Sequence, residues 1–205
     1  MQASLTKAMI GEVVGTFILV FFGCGAVHSA VLTDGLTGLW QIGVVWGLAI
    51  MLAAYTVGSL SGAHINPAMT LALAAFGRFY WTRVPQYVAA QLVGAALAAV
   101  ALFGLFQGYL DRVEGGSQRT TATAKCYGEY FGLDGRVSHA QAFGAEVLGT
   151  ALLAFVVFAT TDERNRGKPA EKFAPVFIGL TVTALICVIA PLTQACFNPA
   201  RDFGP

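Results

Sequence analysis

The tripeptide Asn-Pro-Ala occurs twice, at Asn66-Pro67-Ala68 and at Asn198-Pro199-Ala200, each time directly after a long apolar run. Asn is a strong helix N-cap, and Pro suits the first helical position because its missing N–H would be unpaired there anyway. Each tripeptide therefore marks a helix start. A helix that starts inside apolar sequence leaves backbone groups away from water. In lipid this is tolerated only where the break is buried in protein or lines a watery cavity. Two such starts, 132 residues apart, predict two half-helices whose positive N-terminal ends face one another across a pathway.

The surrounding sequence fits a bilayer. Of 205 residues, 56% are hydrophobic and 11% charged, which is too apolar for an ordinary soluble domain of this length. A span needs about 20 apolar residues to cross a core of about 30 Å. Five runs meet that length, at 8–31, 40–60, 84–107, 140–160 and 173–193. Met69–Gly77 is too short to cross, and the aromatic cluster Phe79-Tyr80-Trp81 that follows, between Arg78 and Arg83, suits a membrane interface. Residues 108–139 hold eight charged residues, Gly115-Gly116 and a Thr run, and read as a solvated loop long enough to cover a channel mouth. Thr161–Lys172 is a short charged connector. The abundant glycine suits close helix contact in a membrane.

Several function classes are excluded. A net charge of +1 gives no electrostatic footprint for nucleic acid. The four cysteines lack C-x-x-C spacing, and Cys24, Cys187 and Cys196 read as small buried residues in apolar runs. No cluster of His, Cys or carboxylates suggests a metal, so neither metal nor cofactor is expected. No nucleophile–base motif suggests an enzyme. The first apolar run is long enough to span and does not have the form of a cleavable signal peptide.

Lys7, Arg78, Arg83, Arg164, Arg166, Lys168 and Lys172 fall on one side of the five spans, against Arg112, Arg119, Lys125 and Arg136 in the long loop. The positive-inside rule places the N-terminus in the cytoplasm and residues 108–139 outside, in the cell (inner) membrane. Glu12-Val13-Val14-Gly15-Thr16 recurs as Glu146-Val147-Leu148-Gly149-Thr150, 134 residues on, close to the spacing of the two Asn-Pro-Ala tripeptides. Three spans separate the copies, so the halves have opposite topology and form an inverted repeat. The division expected is a first repeat at 1–107, the external loop at 108–139 and an incomplete second repeat at 140–205.

Ser61-Gly62-Ala63-His64-Ile65-Asn66-Pro67-Ala68-Met69-Thr70 and Phe197-Asn198-Pro199-Ala200-Arg201-Asp202-Phe203-Gly204-Pro205 resemble the paired signature of the aquaporin and glycerol-facilitator (major intrinsic protein) family. The resemblance covers essentially the whole chain. Asp202 resembles the glycerol-facilitator branch, since water-selective members usually have a small residue there. The fold implied is an all-α membrane protein, an aquaporin-like inverted repeat of five spans and two re-entrant half-helices. The family's sixth span is missing from a chain that ends at Pro205, which reads as a fragment or the product of a truncated gene. The resemblance also implies a homotetramer.

By resemblance, Asn66 and Asn198 are pore donors, joined by Arg201, the only Lys or Arg at predicted membrane depth, where a charge is expensive and points to function. The backbone before each motif, Ala63-His64-Ile65 and Gln194-Ala195-Cys196, is expected to run unwound and form a ladder of carbonyl acceptors. Counting from each Asn gives a selectivity filter of Trp46, Ile186, Ala195 and Arg201. Ile186 stands where water channels have His and glycerol facilitators Gly; Ala195 stands where glycerol facilitators have an aromatic. Trp, an aliphatic, Ala and Arg together are similar to the plant nodulin-like branch, so Asp202 and the filter point to neighbouring branches. Glu12 and Glu146 read either as a proton relay or as structural braces of the loops before the half-helices, the role the family gives them. Pro67, Pro199 and Asp202 are structural. His28 and His139 receive no role, and His64 is expected to matter through its backbone. The function implied is a passive channel for glycerol and other small neutral solutes, with water. The alternatives are a water or metalloid-hydroxide channel of nodulin-like type, a secondary active transporter built on broken helices, or a membrane scaffold that transports nothing.

Overall fold

A computed structural model describes residues 4–115, 120–132 and 135–205. It contains eight α-helices among those residues: α1 (Leu5–Thr33), α2 (Leu39–Ser61), α3 (Pro67–Ala75), α4 (Val84–Glu114), α5 (Thr121–Ala124), α6 (His139–Thr161), α7 (Ala174–Thr193) and α8 (Pro199–Phe203). Five of the apolar helical stretches are long enough to cross a membrane. Single 3₁₀ turns at Trp81–Arg83 and Glu171–Phe173 lead into α4 and α7, each with a Pro in the first helical turn.

The helix ends follow local chemistry. The Ser4 side chain accepts from Lys7 N at the start of α1. Ser138 and Gln141 close a reciprocal capping box at the start of α6, pairing two backbone donors that would otherwise be orphaned. The span predicted at 84–107 continues as α4 to Glu114, seven residues into the stretch read as loop. Charges such as Asp111 and Arg112 do not break a helix; they only take its last turns out of the apolar layer. Gly115, in the left-handed conformation, ends it. The rest of that loop folds a further turn, α5. Gly116, Arg119 and Asp134, which contributed to the loop reading, lie outside the described residues.

Helix α1 packs between α2 and α4, α2 continues onto α7, and α7 carries α6. The contacts are built from small side chains such as Cys24, Ala49, Ala53, Ala95 and Ala98, all buried. Small residues let backbones approach closely, the mode of packing available where lipid removes the hydrophobic drive between helices. Val100, Leu105, Phe155 and Val188 point outward and are exposed. Glu12, Gln91, His28 and Arg201 are buried. Polar groups inside and large apolar groups outside suit a lipid surround. The half-helices α3 and α8 enter from opposite ends of the chain's two halves and meet at their N-termini.

Candidate functional site

Both Asn-Pro-Ala starts have the geometry their sequence predicts. Asn66 is extended, and its Oδ1 accepts from Ala68 N at 2.8 Å. Asn198 is extended too, and its Oδ1 accepts from Ala200 N at 3.0 Å and Arg201 N at 3.3 Å. Pro67 and Pro199 open α3 and α8. The amide nitrogens then cross the molecule: Asn66 Nδ2 donates to Phe197 O at 2.8 Å, and Asn198 Nδ2 donates to Ile65 O at 2.9 Å. A carboxamide has two N–H donors, so each Asn keeps a second one. Both residues line the same cavity.

The backbone leading into each Asn is unwound. Ala63 and Ile65 have φ of 51° and 44°, and Ala195 and Phe197 have 57° and 51°. Non-glycine residues at such angles persist only where their surroundings hold them. Here the repeated glutamates do so. Glu12 accepts from His64 N at 3.0 Å, Ile65 N at 2.7 Å and Gln91 Nε2 at 2.7 Å. Glu146 accepts from Cys196 N at 3.2 Å, Phe197 N at 2.8 Å and the Thr193 hydroxyl. The match of angles sets the register at 132 residues, pairing Ile65 with Phe197 and Ala63 with Ala195. Phe197 therefore belongs with the unwound segment, which the sequence reading ended at Cys196. The repeat spacing itself carried that signal.

A cavity of about 420 Å³ runs past both Asn residues. Its wall includes Trp46, Ile186 and Ala195 of the expected filter, and Ala63, His64, Ile65 and Cys196 of the expected ladder. Thr161, Glu163 and Glu171 of the charged connector region line it as well. Arg201 is 2% exposed, and its guanidinium carbon lies 5.3 Å from the centre of the Trp46 ring. Its Nη1 donates to Tyr127 O at 3.2 Å. Asp202 Oδ1 lies 4.0 Å from the same guanidinium and accepts from Glu129 N at 2.6 Å. Asp202 thus ties α8 to the long loop. Gln194 is outside the cavity wall; its side chain turns to the loop, donating to Lys125 O and accepting from Tyr130 N.

Two residues make contacts that had no sequence signature. Tyr127 meets Arg201 through a carbonyl, which any residue could supply. Gln91 reaches Glu12 and Thr70 from the middle of an apolar span. Burial pushes the Cys126 thiol, in the loop, up to about 12. The histidines are packed rather than clustered: His64 Nδ1 meets the Thr70 hydroxyl at 3.2 Å between Phe79 and Tyr87, His28 Nδ1 meets Cys24 O at 2.8 Å, and His139 stacks edge-on against Phe131. One group of potential ligands does form in three dimensions. Single donor atoms of Glu129, Glu146 and Cys196 lie within 4.8 Å of one another. Both Glu146 oxygens there already accept backbone N–H groups.

Residues 1–205 match the sequence profile of the major intrinsic protein family. A glycerol uptake facilitator protein of Haemophilus influenzae is 36% identical over 211 residues, covering 100% of this chain and 79% of the relative. Human aquaporin-9 is 37% identical over 209 residues, covering 100% of this chain and 70% of the relative. The X-ray structure of the aquaglyceroporin from Plasmodium falciparum superposes with a TM-score of 0.87 at 29% identity, covering 98% of this chain and 79% of that one.

Proposed function

The chain belongs to the major intrinsic protein family, and from that premise we propose that it is a passive membrane channel for glycerol and other small neutral solutes, with water. The observation that carries the reading is the crossed pair of amides. Asn66 and Asn198 each spend one N–H on the opposite half and hold the other at the wall of one cavity. A hydroxyl needs a donor for its oxygen and an acceptor for its proton. The second amide N–H groups and Arg201 supply donors; the unwound backbone at Ala63, His64, Ile65, Ala195 and Cys196, extended to Phe197, supplies carbonyls. Trp46 and Ile186 take the carbon edge of a polyol, and Ala195 leaves room for it. Arg201 and the N-terminal end of α3 oppose cations.

Glu12 and Glu146 act in this reading as braces. Their oxygens accept N–H donors that would otherwise be stranded at membrane depth, which supports a structural role over proton relay. Pro67 and Pro199 fix the helix starts, and Asp202 ties down the loop. The repeats divide at 1–107 and 140–205, with 108–139 between them outside the cell, the N-terminus in the cytoplasm, the chain in the inner membrane and four copies in the assembly.

The test is flux through the full-length protein in liposomes. Stopped-flow shrinking and swelling should show glycerol and water passing down their gradients. Uphill glycerol movement driven by sodium or protons would instead mean a transporter. Ile186→His adds bulk and polarity at the cavity wall and should lower glycerol flux much more than water flux; an unchanged ratio would remove Ile186 from the filter.

A further inference from the structure

The two halves part company at one matched position. Gly62 caps α2 with φ 84°, its N–H donating to Gly58 O. The residue 132 positions later, Gln194, caps α7 with φ 70°, its N–H donating to Ala190 O. The backbone task is the same, and glycine is the residue that performs it without a steric penalty. A side chain held at this angle calls for something that the side chain does.

That side chain spans the long loop. Gln194 Nε2 donates to Lys125 O at 3.0 Å, and Gln194 Oε1 accepts from Tyr130 N at 2.8 Å. The two bonds bracket Tyr127, whose carbonyl takes the Arg201 Nη1 donor at 3.2 Å. On the other side, Cys24 Sγ approaches the same carbonyl at 3.8 Å. Arg201 in turn lies over Trp46. We infer that Gln194 is a positioning residue for the filter: by clamping the segment from Lys125 to Tyr130 it fixes the Tyr127 carbonyl, which holds the Arg201 guanidinium in place and so sets the largest solute that passes. The inference rests on the channel reading above. It assigns to Gln194 a side-chain role distinct from the carbonyl its sequence position suggested.

Gln194→Gly tests this, because glycine relieves the left-handed backbone while deleting both loop contacts. Loss of the two bonds and relief of the left-handed backbone act in opposite directions on stability, so the thermal midpoint should move little. In liposomes, the flux ratio of a five-carbon polyol to glycerol should rise roughly two- to tenfold, the range that one lost hydrogen bond supports. Cys126, fully buried in the clamped segment, gives a second readout. Its labelling by a membrane-impermeant maleimide, mapped by peptide mass, should quicken by about threefold or more as the segment opens locally. An unchanged or lower polyol ratio in a variant that still passes glycerol overturns the inference. If the unsubstituted protein passes no glycerol, the channel reading fails instead, and the Cys126 rate decides the clamp alone: no acceleration overturns it.

Discussion

The two halves of the molecule solve one problem with different degrees of cover. In the first half, α1 carries Glu12 and is packed on two sides, by α2 and α4; 56% of its most apolar window is buried. In the second half, α6 carries Glu146 and packs mainly on α7, with 17% of the window buried. Yet both carboxylates meet the same two backbone N–H groups, at 64–65 and at 196–197. The brace is therefore local. It needs the glutamate, the unwound segment and the helix that carries each, and it forms at full burial and at half burial alike. What cover changes is the cost of losing it.

The largest expected effect comes from that cost. Glu12→Ala removes the acceptor of His64 N, of Ile65 N and of one of the two Gln91 Nε2 bonds, at a position that is itself fully buried. At about 1–3 kcal/mol per buried donor left unpaired, the loss should be roughly 3–6 kcal/mol. Glu146→Ala strands fewer buried groups, and the half-exposed site lets water replace part of the brace, so a loss of about 1–3 kcal/mol is expected. Thermal unfolding of both variants in the same detergent measures the gap. Equal losses would mean that cover does not govern the brace.

Next in size is the glycine of the repeated motif. A Cβ on Gly15 would stand 2.7 Å from Ile65 Cγ2, and one on Gly149 would run into the Phe197 ring. Both glycines thus admit the residue just before an Asn, the same residue whose carbonyl receives the opposite amide. Overpacking costs typically about 1–3 kcal/mol. Gly15→Ala should sit at the upper end, because Val57 Cγ2 closes the other side at 2.7 Å. Gly149→Ala should sit at the lower end, because Phe197 can move away. Each substitution should also lower glycerol flux by displacing the crossed hydrogen bond. If Gly149→Ala were the costlier, rigidity would be greater in the less covered half.

These contrasts mark what the sequence discloses. The spans, the half-helix starts and the Glu…Gly-Thr repeat are written in side chains: long apolar runs, a cap followed by Pro, an acid in lipid. Trp46, Ile186 and Ala195 line one cavity, and Arg201 lies beside Trp46 rather than on that wall, because their distances from each Asn are distances along regular helices and short breaks. Contacts made by backbone carbonyls are not written in that way. Tyr127 O, Phe197 O and Ile65 O could belong to any residue type. Gln194 was expected only as a ladder carbonyl; its match to Gly62 follows from the backbone angles, and nothing in the residues discloses the loop that its side chain reaches. The extension of α4 to Glu114 was hidden because hydropathy reports the end of the apolar layer, not the end of the helix.

The smallest effect concerns what stands beside each brace. Glu12 has the neutral amide of Gln91 as a neighbour; Glu146 has a second acid, Glu129, from the long loop. Burial first, then the charges of Glu146 and Asp202, push the Glu129 carboxyl up from 4.5 to about 8, with Arg201 pulling the other way. The sign of the consequence follows from proton counts. Below pH 4.5 the group is protonated folded and unfolded, and contributes nothing. Between there and about 8 the folded chain holds a proton that the unfolded chain has lost, so stability falls as pH rises through this window, and the penalty is complete above it. The carboxyl is half exposed, so solvent screening limits the effect to about 1 kcal/mol or less. For a chain of this size that is about 2–4 °C in thermal midpoint. Between pH 5 and pH 8, Glu129→Gln should therefore gain on the unsubstituted protein by that amount. Asp202 and Arg201 are common to both proteins, so the difference isolates Glu129. A constant gap across the window would show that the second brace does not feel its acidic neighbour.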